Sequence, residues 1–344
     1  MSKQVKDLFA ENIIVDGLFH AILKDPPPEC GIGKDIVDMI LAGGVNCLSD
    51  SILDDVYPDT FKDLCKEVYD HYLLQDVMPE KLLVVDKFED IERAKQEGKL
   101  ALIMSTQGTD CFEGDVRFVS LAYKLGIRVM QITYNYECAV GSGAYATVDN
   151  GLTHFGRQVI TEMNRVGMVI DVSHVGQTTA MQAIERSERP VIYSHSGIKG
   201  IAEHVRNVSD DHIRAIIKNT GVIGICPHCV FTTESRTERP TVNDYINAML
   251  YVANIAGNMD NIGIGTDRWS RDTMGNSFKK VGFERTTKGF FGGFDSNSKH
   301  VKGFNYYDEW ENLAECMLKR GISENDVKKV LGGNLLRVYK ANWK

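Results

Sequence analysis

Short runs of consecutive apolar, β-branched residues recur along the chain. Each is followed by turn residues and then by a stretch of helical periodicity. The runs fall at 12–16, 44–48, 100–105, 127–133, 167–172, 190–194, 221–226 and 261–266. Near-continuous apolar character marks strands buried on both faces, and so a parallel sheet covered by helices. Helical patterns occupy 34–42, 114–125, 153–165, 176–187, 209–219 and 241–256. Eight strand–helix units predict an α/β fold of the (β/α)8 TIM-barrel type. An open doubly wound sheet is the alternative. It carries a Gly-rich phosphate turn after its first strand, and Asp16-Gly17-Leu18-Phe19-His20 is not one.

Three stretches interrupt the alternation. Residues 49–97 hold extra helices between the second and third strands, and 21–33 form a loop around Pro26-Pro27-Pro28. Residues 268–306 follow the last strand without a clear period and carry Trp269, Phe278, Phe283, Phe290, Phe291, Phe294 and Phe304. A long ordered loop of this kind is expected as a lid or an interface arm. From Tyr307 to Tyr339 the pattern is helical and is expected to pack on the barrel. With no internal repeat and no low-complexity tract, 1–344 reads as one barrel domain with 268–306 as a loop within it.

Composition narrows the class. Hydrophobic residues make up 43% of the 344 and charged residues 25%, ordinary globular usage that excludes a disordered chain. The 39 Lys+Arg against 47 Asp+Glu give a net charge of −8, which argues against nucleic-acid binding. No apolar run is long enough for a membrane span. Met1 to Asp7 lacks the apolar core of an export signal, and Ala341-Asn342-Trp343-Lys344 ends without an apolar anchor tail. The eight cysteines therefore read as reduced thiols in a cytoplasmic protein. A homodimer is the expected assembly.

In barrel enzymes the chemistry sits at the C-terminal ends of the strands. Here those ends carry Asp16 and His20; Ser105 to Gly108; Thr133-Tyr134; Asp171-Val172-Ser173-His174; Ser194-His195-Ser196; Cys226-Pro227-His228-Cys229; and Thr266-Asp267. Four of the nine histidines, His20, His174, His195 and His228, occupy such positions, as expected of a metal site built from neutral imidazoles. Asp267 has the placement of a barrel hydrolase base. Arg206 has the chemistry to hold a substrate carboxylate as a two-pronged fork, an exposed ion pair being the plain alternative. Cys226-x-x-Cys229 is half of a zinc-ribbon pattern, and two buried thiols are its ordinary reading.

Several segments together resemble the membrane dipeptidases, the renal dipeptidase-like metallopeptidases. They are Gly151 to Gly156, Asn164 to His174, Pro190 to Ser196 and Arg206 to Asp211, flanked by Asp16-Gly17, Ile262 to Asp267 and Gly332 to Val338. The resemblance implies a barrel hydrolase with a two-zinc site acting on dipeptides. It implies His174 and His195 as ligands of one ion, Arg206 as the carboxylate clamp and Asp267 in proton transfer.

The departures from that pattern matter. The family's His-x-Asp after Asp16-Gly17 becomes Leu18-Phe19-His20, its bridging glutamate becomes Gln107, its histidine after strand four becomes Tyr134, and its second aspartate beyond Asp267 becomes Trp269. Two divalent ions about 3.5 Å apart repel by about 20 kcal/mol at an effective dielectric near 20, which neutral Gln107 cannot offset. One divalent ion is therefore expected, among the positions His20, Gln107, His174 and His195. A His20, His174, His195 set suits zinc, whereas His174, His195 and Asp267 suit iron. The expected activity is hydrolysis of a small amide or dipeptide-like substrate carrying a carboxylate. Asp267 and Tyr134 would be catalytic, and Arg206, Trp269 and His228 would contact substrate. A lyase, isomerase, decarboxylase or iron enzyme on the same barrel is the alternative, followed by a metal-free binding protein.

Overall fold

A computed structural model describes residues 2–20, 31–54, 59–235, 237–269 and 299–344. Its strands are β1 (Val15–His20), β2 (Cys47–Asp54), β3 (Leu82–Val84), β4 (Leu100–Gln107), β5 (Ile127–Gln131), β6 (Val169–Asp171), β7 (Ile192–Ser196), β8 (Val222–Ile225), β9 (Ile262–Ile264) and β10 (Arg268–Trp269). They form one sheet in the order β10-β1-β2-β4-β5-β6-β7-β8-β9, with β3 on β4. β9 and β10 are two halves of one strand, broken at 265–267. Parallel pairing of Phe19 with Arg268 and of His20 with Trp269 closes the ring. All eight predicted runs are barrel strands, and helices separate them as expected of a TIM barrel.

The boundaries differ from the pattern in an informative way. β1 and β2 run on through His20, Ser49, Asp50 and Ser51, polar residues beyond the predicted runs. Their side chains face the barrel mouth or a helix, so strand geometry continues where apolar character stops. β3 falls within 49–97, which the pattern reads as helical; Leu82-Leu83-Val84-Val85 is apolar like the barrel runs, but β3 pairs only with β4 and lies off the ring. Of the proposed loop 21–33, residues 21–30 lie outside the described residues, whereas 31–33 open the helix Gly31–Ala42, so the loop ends earlier than expected; most of 268–306 also lies outside the described residues. No described helix is long and apolar enough to cross a membrane.

Local signals set the helix ends. Thr153 caps the helix His154–Val166 by accepting from Gly156 N, and Gly167 ends it at φ 97°, a conformation that glycine adopts without strain. Inside the barrel, Val15, Cys47, Ala101, Ile103, Val129, Val169, Ile192 and Val222 form an apolar layer. The helix Asn334–Asn342 floors it with Leu335, Val338 and Tyr339. Above that layer the two-residue alternation brings Ser49, Gln107, Gln131, Asp171 and Ser194 inward, so the interior becomes polar towards the mouth. β7 lies very close to its neighbours: a Cβ on Gly224 or Gly265 would sit 2.0 or 1.8 Å from Ser194 O. Only glycine permits that approach.

The helix Phe61–Val77 docks on β2 through a buried ion pair. His71 Nε2 lies 3.0 Å from Asp50 Oδ2, with the side chains 2% and 1% exposed. His71 Nδ1 faces Glu67 O at 2.6 Å, so both ring nitrogens meet acceptors. Burial lowers the imidazole pKa, but the bond to Asp50 and its charge outweigh burial and hold it above 6.5. A raised folded-state pKa contributes stability that is complete below the unfolded value and is lost as pH rises through the folded value. The stability deficit of His71→Gln in urea unfolding is therefore expected to shrink as pH rises from about 6 to about 9. A deficit that stayed constant would show that the pair is not charged.

Candidate active site

His174 and His195 arise from adjacent strands and are aligned by one carboxyl group. Asp171, at the end of β6, accepts from Ser173 N and Ser194 N at 2.9 Å each and from Ser194 Oγ at 2.5 Å. Ser173 Oγ in turn accepts from His195 N at 3.1 Å. These bonds tie the ends of β6 and β7 together. The imidazoles meet with Nε2 to Nε2 at 2.9 Å. On the far side of each ring, His174 Nδ1 lies 2.7 Å from Asn135 Oδ1 and His195 Nδ1 lies 2.7 Å from Ser194 Oγ. Gln107 Nε2 is 3.2 Å from His195 Nε2, while Gln107 Oε1 is buried with no partner. Tyr134 stacks on His174 with ring centroids 4.5 Å apart.

A second group surrounds Asp267. Its Oδ1 lies 3.1 Å from His20 Nε2 and its Oδ2 lies 3.3 Å from His228 Nε2. Cys226, His228 and Asp267 have ligand atoms all within 4.8 Å of one another, the one such trio among the described His, Cys, Asp and Glu side chains. His20, His174 and His195 do not form one: His20 sits with Asp267, and the other two sit with Gln107. The backbone here is strained, with Asn135, His174 and Asp267 at φ of 53°, 59° and 50°. Strain of this kind collects at functional sites. Asp16 steadies the break in the last strand by accepting from Thr266 N at 2.8 Å, Thr266 Oγ1 at 2.6 Å and Tyr307 OH at 2.8 Å.

Positive charge borders both groups. Arg206 is buried, with Nη1 3.4 Å from Ser196 Oγ, Nη2 3.4 Å from His195 O, and Nε without a partner. The exposed ion pair considered for it from sequence is thus excluded. Lys299 Nζ donates to Asp267 O at 3.0 Å, and burial brings its pKa down to about 8. Burial, reinforced by Arg206, holds His174 and His195 well below the usual imidazole value. Burial and the Lys299 charge take His228 down to about 3. Burial raises the Asp267 pKa, but the His20 hydrogen bond and the neighbouring imidazoles outweigh it and hold the carboxyl well below 3.8. Trp269 pairs through its backbone with His20, and its side chain lies outside the described residues.

The imidazole pair has the chemistry of a cation site. Ser194 directs its own proton to Asp171, so His195 Nδ1 must donate to Ser194 Oγ. His174 Nδ1 likewise donates to Asn135 Oδ1. Both Nε2 atoms then carry lone pairs, and at 2.9 Å they repel unless a cation lies between them. Two metal–nitrogen bonds of about 2.0–2.1 Å to one ion set their donors about 2.9–3.4 Å apart. Oxygen partners on both Nδ1 atoms are the usual outer support of ligating histidines. The residues present therefore fit a divalent ion. The sequence pattern places Asp171 and Ser194 at strand ends without giving them a supporting role, and it does not single out Asn135 or Lys299. Asp171-x-Ser173 is the only local cue, a side chain that bonds the backbone two residues ahead.

A closed parallel barrel with imidazoles and a carboxylate at the C-terminal strand ends defines the class of metal-dependent hydrolase barrels. Within that class the chain belongs to the membrane dipeptidase family, peptidase family M19, whose sequence model matches residues 54–285 and 278–343. A dipeptidase from Claviceps purpurea (strain 20.1), tcpJ, is 28% identical over 301 residues. The match covers 86% of this chain and 63% of that protein, so the chain spans less than two thirds of that relative's length. The crystal structure of an amidohydrolase from Pseudomonas aeruginosa superposes with a TM-score of 0.85 at 30% identity, covering 98% of this chain and 99% of that one. A metallopeptidase from Rhodobacter sphaeroides, bound to a phosphinate mimic of L-Ala-D-Ala, gives a TM-score of 0.77 at 16% identity over 96% of this chain and 99% of that one.

Proposed function

We propose that the protein hydrolyses a small amide or dipeptide-like substrate bearing a carboxylate, using one divalent ion, zinc in the first instance, at His174 and His195. The observation that carries this reading is the pair of facing Nε2 lone pairs 2.9 Å apart, each ring fixed from behind by an oxygen. Gln107 completes the surround when its amide is turned to present Oε1. When bound, such an ion polarises a carbonyl and acidifies water.

The side chains supply the rest. Asp267 stays ionised at neutral pH and accepts the proton of the attacking water, with His20 and His228 fixing its two oxygens. Arg206, buried and poorly satisfied by the protein, receives the substrate carboxylate. Tyr134, placed by stacking on His174, donates to the oxyanion. That the described cysteines are thiols rather than disulfides suits a reducing compartment such as the cytosol, and a homodimer is the expected assembly.

The test is a panel of dipeptides with L or D residues at the C-terminal position, each also as the C-terminal amide. Protein stripped by a chelator and then reloaded with zinc is assayed on the panel. The free acids are expected to be cleaved only by reloaded protein. The amides, or the Arg206→Met variant acting on the acids, are expected to lose about 10–100-fold in kcat/KM. Arg206→Met is expected to melt no lower than the parent, because it removes an incompletely paired buried charge. Absence of turnover on every panel member by metal-loaded protein would overturn the reading.

A further inference from the structure

The trio at Asp267 lies outside the ligand set that the resemblance implies. Cys226 follows β8, His228 lies two residues on, and Asp267 sits in the break of the last strand. Three different chain positions thus deliver a thiol, an imidazole and a carboxylate to one point, all within 4.8 Å. Cys226 and His228 are 0% and 2% exposed, while the Asp267 side chain keeps 14% exposure, so a path from solvent reaches the cluster along the carboxylate. His20 Nε2, 3.1 Å from Asp267 Oδ1, is a fourth donor atom at the rim. His228 is held in place by a stack on Phe231, with centroids 5.4 Å apart, and by His300 edge-on at 4.7 Å. His300 is itself fixed by a 2.9 Å contact of Nε2 with Thr266 O.

We infer that Cys226, His228 and Asp267 form a second cation site, for a borderline ion such as Zn²⁺. A mixed sulfur, nitrogen and oxygen donor set selects that ion over Mg²⁺ or Ca²⁺, which take oxygen ligands. Thiolate and carboxylate together cancel the two charges of the ion, so the loaded site is neutral beside the nearby Lys299 ammonium. On binding, the Cys226 thiol proton, directed at Thr266 O from 3.8 Å, is released to buffer as the sulfur–metal bond forms. Occupancy has a consequence that rests on the function proposed above. A carboxylate that ligates an ion no longer accepts a proton from water, so an ion here inhibits hydrolysis. Catalysis and inhibition then use different ions at adjacent places, and Asp267 is the shared element.

Cobalt titration of the chelator-stripped full chain tests the site directly. Co²⁺ is expected to bind at two equivalents, one of them accompanied by a thiolate-to-cobalt charge-transfer band in the near ultraviolet. Cys226→Ser should lose the band and one equivalent while keeping the other, which also shows that it is folded. Cys229→Ser should keep both. The double variant His174→Ala/His195→Ala should keep the band and lose the other equivalent. A fully loaded parent without the band, or a band that survives in Cys226→Ser, overturns the site.

Inhibition by excess Zn²⁺, compared with each protein's own uninhibited rate, should need at least about 10–100-fold more zinc in Cys226→Ser, the cost of losing even a supporting contact. If the thiolate-linked equivalent binds without inhibiting, the site stands and the role given to Asp267 in hydrolysis falls.

Discussion

Replacing His195 with alanine is expected to remove the ion from the imidazole pair and to lower kcat/KM by at least about 10³-fold, or about 4 kcal/mol. The expectation rests on how the ring is held. His195 is fully buried, with Nε2 2.9 Å from His174 Nε2 and 3.2 Å from Gln107 Nε2 and Nδ1 2.7 Å from Ser194 Oγ. A single remaining nitrogen and a neutral amide make a weak site for a divalent ion. Measurement of bound metal beside steady-state kinetics checks this, with thermal melting as the control for folding. Ser194→Ala provides a graded companion. It leaves both ligands but frees His195 Nδ1 and one Asp171 oxygen, so metal affinity should fall by about 10–100-fold. A His195→Ala protein that still held its ion at the parent's affinity would remove His195 from the site.

Asp267→Asn is expected to lower kcat by about 10²–10⁴-fold while leaving the ion at His174 and His195 in place. The amide matches the carboxylate in shape but has no base strength. In the parent, burial raises the Asp267 pKa, yet the His20 bond and the adjacent imidazoles hold it well below the ordinary value. The carboxylate is therefore ionised throughout the neutral range, and any acid limb that the parent's rate profile shows near neutrality is expected to belong to another group. The variant should show a lower plateau with that limb unmoved. An unchanged kcat, measured with saturating dipeptide, would sink the assignment. His20 and His228 each hold one oxygen of this carboxylate, so His228→Gln is the milder perturbation of the same arrangement.

Much of this was legible in the residue order. Strands buried on both faces leave nearly unbroken apolar runs, so the eight barrel strands can be counted from the chain, and the first one or two residues past each run stand at the mouth. That alone singles out His174, His195, Asp267 and His228. Arg206 is not settled by the residue order, because a loop arginine looks the same in sequence whether it is exposed or buried. The structure buries it beside His195 O and Ser196 Oγ. β3 was missed because it is an extra strand inside a stretch read as helical, paired only with β4 and outside the eightfold alternation that identifies the others.

The local chain determined that imidazoles and a carboxylate stand at one end of a closed parallel ring, since each strand points its last residues the same way. It did not determine which of them meet. That depends on the stagger of adjacent strands, on the glycine-permitted approach of β7 to β8 and Gly265, and on the left-handed backbone at His174 and Asp267. These long-range features pair His174 with His195, draw His20 to Asp267, and turn Cys226 from an ordinary buried thiol into the neighbour of a histidine and an aspartate. Distances between strand ends are set by packing across the barrel, a property that no stretch of the sequence carries alone.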